Sequence, residues 1–256
     1  MSLMLTGVSY AKVRVNENPN LHVLTISLDN YKNKAWNLQY CNSDANEFIK
    51  TLKKNGKNVF KNVYTYSLRD SQVTQNHVQS VFKKVATKIK SKDVFILYMG
   101  GHGSNIKGSY YFFSYDNTEN RFKDQAISSQ FIVDGLNLLS SSKLLVLIDS
   151  SHSGQLVDDY IKDTSTKKDG AIAFLSSSSS KQMAMDGYKG HGLFTYALID
   201  AMNSSKIFGN DEKLSVNELI NHVKNFVPKV AKEKFNHAQN PTIYTNGDTS
   251  FAIGGF

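Results

Sequence analysis

Two apolar runs that break off in polar turns constrain this chain more than any other feature. One is Asp93-Val-Phe-Ile-Leu-Tyr-Met-Gly-Gly-His-Gly103 and the other Leu144-Leu-Val-Leu-Ile-Asp-Ser-Ser-His-Ser-Gly154. An apolar run closed by a turn signal reads as a strand buried on both faces, and such strands belong to parallel sheets. Open α/β sheets gather ligand and catalytic groups at the carboxyl ends of these strands. Two parallel strands would therefore bring His102 and the Ser151 turn to one edge.

The rest of the chain alternates between the two periodicities. Strands are expected over 21–28 and 59–67. Helices are expected over 44–55 (Ala45, Phe48, Ile49, Leu52), capped by Asn42 or Ser43, and over 74–90 (Val78, Val81, Phe82, Val85, Ile89). An aromatic ribbon is expected over 109–115 and a helix over 127–139, weakened by Gly135. A strand over 171–175 and a helix over 193–202 follow. Ser215-x-x-Glu218 is a capping box for a helix over 215–227, ended or kinked by Pro228. Short strands over 243–244 and 251–253 close the pattern. Strand–helix alternation implies right-handed βαβ units and a mostly parallel sheet. Residues 1–20 read as an N-terminal extension of a single domain spanning 1–256.

The 256 residues can bury a full core. A net charge of +8 permits a polyanionic partner. The lysines, however, scatter over helical faces and loops with no long basic run, which argues against nucleic acid. Cys41 is the only cysteine, so no internal disulfide can form. No apolar run approaches membrane-spanning length, and a cytoplasmic protein is expected.

His102 stands where a general base would stand, on a strand end among glycines. A hydroxyl or thiol at Ser151 could attack a carbonyl while turn amides face the developing oxyanion. Either residue alone also reads as an ordinary turn or cap residue. Their joint placement at one sheet edge favours chemistry.

Both blocks resemble those of caspase-like cysteine peptidases, above all the metacaspases and bacterial caspase homologues. Tyr98-Met-Gly-Gly-His-Gly103 is similar to the family's histidine block and Asp149-Ser-Ser-His-Ser-Gly154 to its nucleophile block. The two positions lie 49 residues apart, close to the family's interval of about 50. Tyr40-Cys-Asn-Ser-Asp-Ala45, Ala173-Phe-Leu-Ser-Ser177, His191-Gly-Leu-Phe-Thr-Tyr-Ala-Leu198 and Gln239-Asn-Pro241 extend the likeness. It implies a three-layer α-β-α sandwich around a mostly parallel sheet of about six strands.

The resemblance also implies roles. His102 and the residue at 151 would form the catalytic pair, with the Gly103 and Ser151 amides as the oxyanion hole. Asp44, Asp149 and Ser176 would bind substrate, the two acids taking a basic P1 side chain. A peptide or protein cut after Arg or Lys is the expected partner. Residues 155–170 would form a processing or regulatory loop. Calcium could act as an activator, with Asp116, Asp134, Asp158 and Asp159 as candidate ligands.

The departure is Ser151 itself, where the family carries cysteine. A serine hydroxyl needs an oriented base far more than a thiol does. The chain as written is therefore expected to be inactive or nearly so. It is either a peptidase whose cysteine has been exchanged, which the intact His102, Gly103, Asp149, His152 and Gly154 favour, or a natural non-catalytic peptide-binding member. A Ser151–His102 serine hydrolase stays open, as does a nucleophilic Cys41, which a helix N-terminus would activate.

Overall fold

The computed structural model describes residues 18–163 and 169–255. Most of the expected N-terminal extension, and residues 164–168 of the expected loop, lie outside the described residues.

In chain order, β1 (Leu21–Ser27) leads to α1 (Cys41–Asn55), β2 (Val63–Arg69), α2 (Gln75–Ala86) and β3 (Val94–Gly100). An antiparallel ribbon follows, formed by β4 (Gly103–Ile106), β5 (Ser109–Phe112) and β6 (Ile127–Ser128), with the single turn α3 (Phe122–Gln125) before β6. Next come α4 (Ser129–Asn137), β7 (Lys143–Asp149), α5 (Gly154–Lys162) and β8 (Ala171–Ser176). The described chain ends with α6 (Leu193–Asn203), β9 (Lys213–Ser215), α7 (Val216–Phe235), β10 (Thr242–Asn246) and β11 (Ala252–Gly255).

Six strands form the central sheet in the order β10-β8-β7-β3-β1-β2, parallel except for β10. Every residue of β1 and β3 is buried, as two covered faces require. Side chains alternate between the faces. Val94, Ile96 and Tyr98 join the core under α1, α6 and α7, while Phe95, Leu97 and Met99 join the core under α2, α4 and α5. The three-layer sandwich follows from this alternation.

Gly135, which weakens the helix over 127–139 on propensity alone, has a packing reason. A Cβ there would come within 2.6 Å of the Phe82 ring, so glycine lets α4 approach α2 closely. Gly135→Ala gains about 1 kcal/mol of helix propensity but overpacks Phe82 at about 1–3 kcal/mol. A net loss of stability is expected in a urea melt, and a gain would show that the two helices have room to spare.

Four local expectations need correction. Pro228 neither ends α7 nor splits it, because Val223 and Val227 before it and Val230 and Ala231 after it bury one continuous face. Residues 155–162, expected as the start of a loop, belong to the helix α5, whose Leu156, Val157 and Tyr160 enter the core. The strand expected over 59–67 begins at Val63, paired with Leu21. The cap of α1 comes from a distance: Asp29 accepts from the Cys41 and Asn42 amides at 2.9 and 3.1 Å.

Candidate active site

Gly100 of β3 pairs with Asp149 of β7, so His102 and Ser151 each lie two residues past a matched pair. This edge adjoins β1, from which the chain steps outward to β2 and later returns to β3. Open sheets bind ligands at such a switch point.

The loop after β1 positions His102. The Tyr31 hydroxyl accepts from the His102 amide at 2.9 Å, and the Trp36 carbonyl lies 2.9 Å from Nε2. A carbonyl can only accept, so Nε2 carries the proton and Nδ1 is the basic nitrogen. Burial lowers the His102 pKa and the Trp36 contact partly restores it, which keeps the ring neutral at physiological pH. Asp70, at the end of β2, fixes the loop by accepting from the Asp29 amide, the Asn30 amide and the Asn42 side chain at 2.9–3.0 Å.

The Ser151 turn rests on the serine tract that follows β8. Ser177 Oγ accepts from the Ser150 amide at 3.1 Å and donates to the Ser150 carbonyl at 2.9 Å. Ser178 Oγ donates to that carbonyl at 3.2 Å. His152 follows with φ 59°, a left-handed conformation. Its amide donates to the Gln182 carbonyl. Ser151 Oγ accepts from the Ala184 amide at 3.2 Å. A Cβ at Gly103 would lie 2.6 Å from Ser150 Oγ, so only glycine lets the histidine loop meet this turn.

Beside the pair is a cavity of about 160 Å³ whose wall includes Cys41, Asp44, His102, Asp149, Ser151 and Asp186. Three carboxylates converge there. A Cβ on Gly192, at the head of α6, would lie 2.8 Å from Asp149 Oδ2, 3.3 Å from Asp44 Oδ2 and 3.4 Å from Asp186 Oδ1. Asp149 Oδ2 accepts from Thr195 Oγ1 at 2.6 Å, and Tyr98 shares a hydrogen bond with the same hydroxyl. Asp44 accepts from His191 and the Gly192 amide. Burial pushes the Asp149 carboxyl up to about 7, against the Thr195 hydrogen bonds. Burial also raises Asp44 and Asp186, which sits on an exposed loop but turns its carboxyl into crowded surroundings. All three acids are thus held above their ordinary range.

The structure thus brings His102, Ser151, Asp44 and Asp149 together and sets Gly103 against the Ser151 turn. Ser176 is not in the cavity wall: it is fully buried, and its hydroxyl donates to the Ser178 and Thr242 carbonyls. Cys41 does line the cavity, yet its thiol is not activated. Burial, then the charges of Asp186, Asp29 and Asp149, raise its pKa well above the ordinary value and outweigh the helix terminus.

The four acids expected to hold calcium are not gathered. Asp116 accepts from Ser114, and Asp134 from Gln130. Asp159 is occupied by the Tyr110 amide, Ser129 and Gln155. Among the described residues no three His, Cys, Asp or Glu side chains are placed to hold a metal ion together. As they stand these acids do not fit a bound calcium ion.

Asp186, His191, Thr195 and Trp36 were not picked out as site residues. His191 and Thr195 lie inside a block matched for its likeness alone. Asp186 has no sequence signal beyond being an acid, and Trp36 acts through its carbonyl, which no side-chain pattern can report.

A caspase-domain family model matches residues 21–251. No curated protein matches the chain. Among solved structures, a crystallised protein from Geobacter sulfurreducens is 17% identical, with a TM-score of 0.65 over 93% of this chain and 97% of that one. At that identity the likeness shows the fold. No described helix is long and apolar enough to cross a membrane.

Proposed function

Because the chain belongs to the caspase-domain peptidase family, we propose that it is built as a cysteine endopeptidase cutting after Arg or Lys, with serine standing in for its thiol at 151. The observation that carries this reading is the convergence of Asp44, Asp149 and Asp186 in the cavity that also holds His102 and Ser151. Converging carboxylates suit a guanidinium or an ammonium.

With cysteine at 151, His102 Nδ1 takes the thiol proton and the thiolate attacks the scissile carbonyl. The Gly103 and residue-151 amides are the proposed oxyanion donors. His102 returns its proton to the leaving amine, and water then hydrolyses the acyl-enzyme. A serine hydroxyl gains little from this arrangement. Its base is oriented by the neutral Trp36 carbonyl, which stabilises an imidazolium less than the carboxylate of a serine triad does.

A second reading draws on the Ser151 side chain, which accepts from the Ala184 amide in the cavity wall. The cleft would then hold basic peptides uncut in a cytoplasmic setting. Cleavage of basic-P1 peptides after Ser151→Cys separates the two readings. Lys167-Lys168, outside the described residues, would offer a basic P1 for self-processing.

A further inference from the structure

Of the three pocket acids, Asp44 alone is paired, among the described residues, with a side chain able to carry positive charge. His191 Nδ1 lies 2.6 Å from Asp44 Oδ1, and the Gly192 amide donates to Oδ2 at 2.9 Å. Asp149 is held by the neutral donors of Thr195.

The ammonium of Lys189, two residues before His191, is held elsewhere. Lys189 Nζ donates to the Tyr196 hydroxyl at 3.0 Å and lies 5.4 and 5.0 Å from the Tyr188 and Tyr196 ring centres. The titratable groups around the His191–Gly192 turn are Asp44 from α1, Asp149 from the end of β7, Asp186 from the same loop, Tyr196 from α6, and Lys189 bound to that tyrosine. The imidazole is the group there that can carry a positive charge beside the acids.

We infer that His191 is a specificity-determining residue: it pairs with Asp44 in the empty pocket and gives up its own charge when a cationic P1 side chain arrives. The inference rests on the basic-P1 reading. A guanidinium among the three carboxylates brings a second positive charge to Asp44, and like charges at that range disfavour each other. Only the imidazole can discharge, since a guanidinium keeps its proton. The proton leaves the ring for water, and no heavy-atom bond changes. By linkage, acid weakens binding of a charged P1; protonation of the raised pocket acids acts in the same direction, so the titration of the His191 ring itself is the readout.

The Ser151 chain itself serves for the test. The His191 ring is followed by NMR from about pH 5.5 to about 8. It is recorded alone, with acetyl-Leu-Leu-Arg amide, and with the analogue carrying citrulline in place of arginine. The arginine peptide is expected to lower the protonated fraction of His191 near pH 6.5 by at least about threefold. The citrulline peptide should leave it unchanged, and Asp44→Asn should remove the arginine effect. If the arginine peptide shifts the Gly192 and Thr195 amides but not the His191 titration, the inference is overturned and the pocket reading survives. If no pocket amide responds to arginine, both fall.

Discussion

Ser151→Cys is expected to raise cleavage after arginine by at least about 10³-fold, since losing the nucleophile of a hydrolase site costs about 10⁶ in kcat. The reason is local. His102 is neutral, its tautomer is fixed by the Trp36 carbonyl, and the residue-151 turn is already set by Ser177, Ser178 and His152. A thiol placed there needs no charged third member to ionise, because it is intrinsically far more acidic and nucleophilic than a hydroxyl. Adding His102→Ala to Ser151→Cys should return the rate to the parent level. Activity that survives in that double variant would remove His102 from the mechanism. The parent chain is expected to bind arginine peptides without turning them over.

Asp149→Asn is expected to separate binding from folding. In the Ser151→Cys protein it should cut kcat/KM for arginine peptides about 30- to 10³-fold, the usual cost of losing one partner of a buried charge pair. Its effect on stability runs the other way. The Asp149 carboxyl is raised from 3.8 to about 7 by burial. A raised carboxyl contributes stability in full below its unfolded value, near 4, and that contribution is lost as pH rises through about 7. Asparagine does not titrate and can still accept from Thr195. The variant should therefore gain on its parent steadily from about pH 4 to 8, by about 2–4 kcal/mol at the alkaline end. Comparing variant with parent cancels His102, which acts oppositely, while Asp44 and Asp186, whose charges help to raise Asp149, act in the same sense and enter the difference with it. A difference in melting temperature that stays flat with pH would mean that Asp149 is not held above its ordinary range.

The fold was largely legible because its strongest signals are local. Apolar runs over 93–100 and 143–149 could only be doubly buried strands, and polar groups past them could only meet at a shared edge. That His102, Ser151, Asp44 and Asp149 share one cavity wall followed from that edge and from the resemblance. What stayed hidden depends on contacts between distant segments. Asp29 caps α1 across 12 residues of loop. Asp186 joins Asp44 and Asp149 only because the chain from β8 to α6 passes over the cavity. The serine tract reads as nothing in sequence, yet small hydroxyl side chains are what fits beneath the 150–153 turn and satisfies its backbone. Ser176 was misplaced for a related reason. It is one residue short of the turn, so its hydroxyl serves the β8–β10 edge instead. The continuity of α7 through Pro228 likewise comes from a tertiary face, which outweighs the local cost of one missing hydrogen bond.

The central claim is that this cleft takes a cationic P1 side chain next to its nucleophile position. It is tested most directly by offering Ser151→Cys four peptides identical except at P1, where they carry arginine, lysine, citrulline or aspartate. Arginine and lysine should be cut, with citrulline slower by at least about 10²-fold for want of charge alone and aspartate not cut measurably. Cleavage after aspartate, or equal rates for arginine and citrulline, would contradict the account.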